Sequence, residues 1–177
     1  NKVAASHSEL LEKYYNRAAA EDRDFRTGHD GVTLLNTMLA QDGLLIYLPK
    51  NTVLKAPIQV VNVVSANIDL MCVRRVLIVA EEGAQGSVLF CDHAEGDKQY
   101  LTTQVIEAYT EEGAQVNIYS IEETNDNTTR FSTLYVEQEA KSRISYDGIV
   151  LTCGKSRNRL DVRLRGEEAR TELYGAV

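Results

Sequence analysis

The pentapeptide Glu-Glu-Gly-Ala-Gln occurs twice in this chain, at Glu81–Gln85 and at Glu111–Gln115. Each copy follows a β-branched run and precedes an alternating apolar one. Self-similarity at a fixed period constrains a fold more than composition does, because each copy must become the same supersecondary unit. With the alanine of each copy as an anchor, Ala56, Ala84, Ala114, Ala140 and Ala169 form a series spaced 26 to 30 residues apart. Four residues after the anchors stand Val60, Val88, Ile118, Ile144 and Leu173, apolar without exception. Alternate residues of a strand share a face. The inward rows therefore read Ala56-Ile58-Val60-Asn62, Ala84-Gly86-Val88-Phe90, Ala114-Val116-Ile118-Ser120, Ala140-Ser142-Ile144-Tyr146 and Ala169-Thr171-Leu173-Gly175.

A second β-rich run precedes each later anchor, at 74–79, 101–109, 131–136 and 160–164, with an inward register that slips by a residue between copies. Units of about 28 residues with two strands and two turns fall in the range of solenoids. The pattern predicts a mainly β chain folded as a right-handed parallel β-helix, one unit per coil. An antiparallel meander closed into a sandwich also gives evenly spaced strands. It gives no reason for the same small residue to recur after the same acidic turn.

The first forty residues differ. Ser6–Glu9 has the form of a capping box, followed at helical spacing by Leu10, Leu11, Tyr14, Tyr15 and Ala18. A second helix is expected over Val32–Ala40 with Asp30 as its N-cap, and Asp42-Gly43 then turns the chain into a first strand. This divides the chain into a helical N-terminal segment, 1–42, and a β-helix domain, 43–177, expected to be truncated at its C-terminus. No run approaches the ~20 apolar residues of a membrane span. A net charge of −7 disfavours nonspecific nucleic-acid binding. Cys72, Cys91 and Cys153 are too scattered for a disulfide framework or a metal knuckle, which fits a reducing, cytoplasmic setting.

Little in the chain points to chemistry. Cys91 and His93 share one face of a strand and could both ligate a metal, but two ligands are not a site; a buried cysteine beside a loop histidine is the plainer reading. His7 and His29 suggest no site. Arg159, Asp161, Arg163 and Arg165 alternate with Leu160, Val162 and Leu164, so one strand face is apolar and the other strongly basic. Without interleaved aromatics, a solvated sheet face paired with charges on the next coil is the better account than a phosphate-binding surface. There is no nucleophile elbow, P-loop or zinc-protease motif, and the carboxylates crowd the turns. No catalytic, cofactor-binding or metal residue is assigned.

The stretch from Leu34 to Val64 resembles the SufB/SufD family of the SUF iron–sulfur cluster assembly system. The resemblance is carried by Leu35-Asn36-Thr37, Asp42-Gly43, Ile46-Tyr47-Leu48-Pro49-Lys50-Asn51 and Pro57-Ile58. Further on, Arg74–Ala84 and Ser156–Val177 resemble the family's arginine-bearing strand and its leucine–glycine–acidic–alanine corner. Asp42-Gly43 and Lys50-Asn51 look more like SufD; SufB more often shows Gly-Gly and Lys-Gly. The resemblance implies a parallel β-helix and a non-enzymatic, SufD-like scaffold that binds SufB and the ATPase SufC. No cofactor is expected on this chain alone, with an iron–sulfur cluster in the wider complex. The family's cluster-associated histidine and SufC-binding helices lie C-terminal to the matched region. The chain is accordingly expected to be an excerpt whose open last coil pairs edge to edge with a second copy or with SufB. A SufB-like scaffold and, from another class, a carbohydrate-active β-helix enzyme are the alternatives. The second calls for outward ladders of acids and aromatics, whereas Gln85, Asn117, Lys141 and Arg170 are mixed.

Overall fold

The acidic corner joins two strands per repeat, and the strands stack coil upon coil. In the computed structural model, which describes residues 6–21 and 30–177, one sheet contains β1 (Leu44–Leu48), β3 (Leu70–Ala80), β5 (Tyr100–Thr110), β7 (Thr128–Gln138) and β9 (Lys155–Leu164). The other contains β2 (Ile58–Ser65), β4 (Gln85–Glu95), β6 (Gln115–Glu123), β8 (Arg143–Thr152) and β10 (Arg170–Ala176). Each sheet runs in chain order and every pairing is parallel. This is a parallel β-helix of five coils, as the periodicity predicts, with an odd-strand and an even-strand sheet enclosing the core.

The corner explains the repeated pentapeptide. It is a four-residue turn whose third residue has positive φ: Asn51 (59°), Gly83 (68°), Gly113 (69°), Lys141 (59°) and Glu168 (59°). Glycine adopts this conformation without a Cβ penalty. The fourth residue's N–H donates back to the first carbonyl, as in Ala84 to Glu81 (2.9 Å) and Ala114 to Glu111 (3.0 Å). Successive turns also bond to one another, Asn51 N–H to Glu82 O (2.9 Å), Gly83 to Glu112 (3.0 Å), Gly113 to Ala140 (2.9 Å) and Lys141 to Glu167 (2.8 Å). The residue after the left-handed position points into the interior, where Ala84 and Ala114 are fully buried.

Two of the five alanine anchors are misplaced by the sequence reading. Val116 pairs with Ile144, so the residue that continues the Ala84–Ala114 column is Ser142, not Ala140. Ala140 is the second residue of its turn, because the fourth coil uses Lys141 where the second and third coils use glycine. Ala56 is exposed, and β2 sets Ile58 opposite Val88 and Val60 opposite Phe90. Ala140 stands two residues before Ser142, and Ala56 stands four after Thr52, which follows Asn51 in the first corner; both offsets are even, so the assigned faces survive while the register does not. Ala169 holds its place in the column, half-buried.

The expected register slip in the odd strands is absent. Val76, Ile106, Leu134 and Leu160 form one inward column, and Ile78, Ala108, Val136 and Val162 the next. The slip is an artefact of hydrophobicity on both faces. Leu77, Val79, Val105, Tyr109 and Tyr135 point outward and are buried in a second cluster with Tyr14, Ala18 and Ala19.

That second cluster is built by the N-terminal helices α1 (Ser8–Tyr14), α2 (Arg17–Ala20) and α3 (Gly31–Leu39). The N-cap of α1 is His7 rather than Ser6, and it supplies no side-chain bond. α3 starts after Asp30, as its sequence suggests, but the Asp30 carboxylate accepts the Thr33 hydroxyl (3.1 Å) rather than a backbone N–H. α3 turns polar residues inward: Thr33 and Asn36 are buried on the sheet, while Leu34 and Met38 are 51% and 72% exposed. His29 lies outside the described residues. Among the described residues, no helix is long and apolar enough to cross a membrane.

Candidate functional site

The interior of the solenoid divides in two. Next to the corner it is apolar, filled by Ile46, Leu48, Ile78, Val88, Ile118 and their neighbours. Toward the opposite edge, the inward columns become polar. Arg74, Gln104, Ser132 and Asn158 align on the odd strands, as do Cys72, Thr102, Arg130 and Ser156. Facing them on the even strands are Asn62, Asp92 and Glu122.

These side chains form one buried ionic network. Arg130, 2% exposed, donates to Asp92 Oδ2 through Nη2 (2.6 Å) and Nε (3.1 Å), and through Nη1 to Glu122 Oε2 (3.2 Å) and Asn158 Oδ1 (2.6 Å). Asp92 also accepts from Arg74 Nη1 (2.6 Å) and Asn62 Nδ2 (2.9 Å), and Glu122 from the Ser156 hydroxyl (2.7 Å). Burial works to raise the Asp92 carboxyl, but the charges of Arg74 and Arg130 outweigh it and hold the group below its ordinary value. Buried charges persist only when paired and hydrogen-bonded in this way.

A second buried pair sits on the outer face of the odd-strand sheet. Arg75 Nη2 donates to Glu107 Oε2 (2.9 Å), both residues being essentially inaccessible. The same carboxylate accepts the backbone N–H groups of Asn16 (2.7 Å) and Ala19 (3.0 Å), and Tyr109 Oη accepts that of Ala18 (2.8 Å). Arg75 Nη1 donates to the Thr37 hydroxyl (2.9 Å), and Asn36 Nδ2 to the carbonyls of Arg74 (3.1 Å) and Thr103 (3.2 Å). Polar anchors thus hold the helices on the sheet.

The basic stripe of β9 is neutralised where it stands. Arg163 and Arg165 bind Glu137 of the preceding coil (2.9 and 2.6 Å) and Glu21 of the N-terminal segment (3.3 and 3.0 Å). Arg157 binds Asp30 (2.6 Å), and Arg159 lies between Asp30 and Asp161. This matches the expected paired sheet face, with the N-terminal segment as an additional source of partners. Cys91 and His93 face outward on β4. Gln59 donates to the Cys91 sulfur (3.6 Å), and His93 faces Glu123 (3.3 Å). Among the described residues, no group of three or more His, Cys, Asp or Glu is placed to hold a metal.

The sequence reading missed the interior network, although a signal was present. Asp92 and Glu122 stand eight residues after Ala84 and Ala114, one step beyond the rows taken as inward. Extending those rows puts two carboxylates in one buried column, which demands buried cations opposite.

Comparison with known proteins gives the network its context. Residues 62–177 match the family model described as SUF system FeS cluster assembly, SufBD core domain, and residues 1–60 the SufBD protein N-terminal region. An iron-sulfur cluster assembly SufBD family protein of Arabidopsis thaliana is 27% identical over 189 residues, 98% of this chain and 38% of its own length. The iron-sulfur cluster assembly protein SufD of Bacillus subtilis is 28% identical over 144 residues, 80% of this chain and 30% of its own. A SufBD family protein of Synechocystis is 25% identical over 180 residues, 97% of this chain and 38% of its own. The chain thus spans well under half the length of these relatives. Its five-coil parallel solenoid and the family-model match along both its segments lead to one conclusion: the chain belongs to the SufBD family of the SUF iron–sulfur cluster assembly system.

Proposed function

We propose that the chain is part of a SufD-like scaffold subunit that supports iron–sulfur cluster assembly by binding SufB and the ATPase SufC. The observation that carries this reading is the family match over residues 1–60 and 62–177, joined to a fold made of stacked parallel coils. The SufD side of the family is favoured by Asn51. It takes the left-handed corner position (φ 59°), where SufB-like sequences more often carry glycine, and asparagine tolerates that conformation best after glycine. The protein's role is that of a binding surface rather than a catalyst, in a reducing cytoplasmic compartment suited to the free thiols Cys72, Cys91 and Cys153. The cluster belongs to the wider complex, and this chain alone holds none.

Co-purification of the full-length gene product with SufB and SufC is the direct test. Recovery of neither partner would sink the proposal, and recovery of SufC with a second SufD-type chain in place of SufB would favour the SufB-like alternative. For the cluster, anaerobic reconstitution of the purified chain with iron and sulfide should leave no stoichiometric metal. A cluster lost on Cys91→Ser would overturn that part.

A further inference from the structure

Six buried side-chain atoms have no hydrogen-bond partner among the described residues: Nε of Arg74 and Arg75, Oγ1 of Thr102 and Thr124, and Oε1 of Gln104 and Glu122. Arg75 belongs to the outer junction. The other five lie together in the polar half of the interior. Arg74 and Gln104 are register partners, Thr102 precedes Gln104 by two residues, Glu122 lies on the facing sheet, and the buried Thr124 follows it past the register shift that ends β6. Thr102, Gln104, Glu122 and Thr124 are 5%, 3%, 1% and 6% exposed. Native interiors leave few such groups unmet, since each costs desolvation without return.

The chemistry of the set selects its ligand. It combines two acceptor oxygens, two hydroxyls and one guanidinium N–H donor. A cation bound to Glu122 and Gln104 would sit beside the Arg74 and Arg130 guanidiniums; an anion bound to Arg74 would sit beside Asp92 and Glu122. Water donates and accepts and adds no charge. We infer that the polar half of the solenoid interior is a hydration chamber that binds ordered water molecules through Arg74, Thr102, Gln104, Glu122 and Thr124. A buried water makes about three hydrogen bonds, so a single molecule can serve more than one of these atoms. A cleft of about 190 Å³ lined by Asn62, Arg74 and Gln104 reaches the surface at Asp42–Leu44, giving the chamber a route to bulk solvent at the first coil. Water there supplies polarisable surroundings for two arginines and two carboxylates inside a protein.

The sign of one substitution tests this. If Thr102 Oγ1 bonds water, Thr102→Val removes a satisfied hydroxyl and lowers the melting temperature of the purified protein by a few degrees. If the hydroxyl is dry and unpaired, the same change removes a desolvation penalty, and the melting temperature stays or rises; either result overturns the inference. A crystal structure of the unsubstituted protein provides the second arm, independent of how the variant folds. Ordered water within hydrogen-bond distance of Glu122 Oε1, Gln104 Oε1 and Thr102 Oγ1 supports the chamber. Side chains that rearrange to pair with one another in a dry interior refute it.

Discussion

Replacing Arg130 with methionine gives the sharpest test of the buried network. Methionine keeps much of the length and volume but removes four hydrogen bonds and the one positive charge that, among the described residues, bonds both carboxylates. The losses are unequal. Asp92 keeps Arg74 (2.6 Å) and Asn62 (2.9 Å), whereas Glu122 keeps, among the described residues, the Ser156 hydroxyl (2.7 Å). Removing one partner of a buried ion pair costs about 3–5 kcal/mol, because the other charge is stranded. For a chain of this size each kcal/mol moves the melting temperature by about 2–4 °C, so Arg130→Met should melt roughly 6–20 °C below the parent at pH 7. Urea titration followed by far-ultraviolet circular dichroism reads the same loss as a fall in midpoint. The stranded Glu122 is the mechanism, so Arg130→Met/Glu122→Gln should recover part of the deficit. A variant that melts within a degree or two of the parent, or a double variant worse than the single, would refute the assignment of Arg130 as the network's centre.

The Asp92 carboxyl is depressed in the folded state, so its contribution is complete above its unfolded value near pH 4. That contribution is lost as pH falls below ~4 toward the folded value, and Asp92→Asn should flatten the acid limb of the stability–pH curve there. An unchanged acid limb would show that Asp92 is not held by Arg74 and Arg130. Lys141 occupies the left-handed corner position and its ion pair with Glu112 is exposed, so Lys141→Gly should stabilise the protein by about 0.5–1 kcal/mol. Gly113→Ala should cost about 1 kcal/mol from backbone strain alone, since an added Cβ meets nothing within 4 Å; both are read from chemical denaturation. Ser142→Arg should cost several kcal/mol because it drives a charge into the buried corner column, while Ala140→Arg, half-buried in the turn, should cost far less. Equal losses at 140 and 142 would contradict the register.

The coil period was legible because the corner imposes one physical demand in every layer: a residue that tolerates positive φ, then a small one. Gly83-Ala84 and Gly113-Ala114 state it openly. Lys141-Ser142 and Glu168-Ala169 satisfy the same geometry without glycine, and an anchor keyed to alanine therefore slid to Ala140. The odd strands misled for a different reason. Their outer faces are buried too, under helices, so hydrophobicity could not distinguish Leu77 and Val79 from Val76 and Ile78. The charged interior was hidden by the ordinary rule that arginine and glutamate face water. Only the shared offset of Asp92 and Glu122 from their corners could have revealed it. The helix-docking pair Arg75–Glu107 left no such trace, because nothing local specifies which helix covers which strand.

Arg130 also bears on how the coils come apart. In an array whose repeats touch only their immediate neighbours, the end units fray independently and opening spreads inward one layer at a time. Arg130, in the fourth coil, binds Asp92 in the second and Asn158 in the fifth. The N-terminal segment ties together Arg74 and Thr103 through Asn36, Tyr135 through Thr33, and the β9 arginines through Glu21 and Asp30. Loosening any one of these layers strands groups held in others. The amides of β3 through β9 should therefore exchange with solvent at a shared opening free energy, as one cooperative block, rather than along a gradient from the ends.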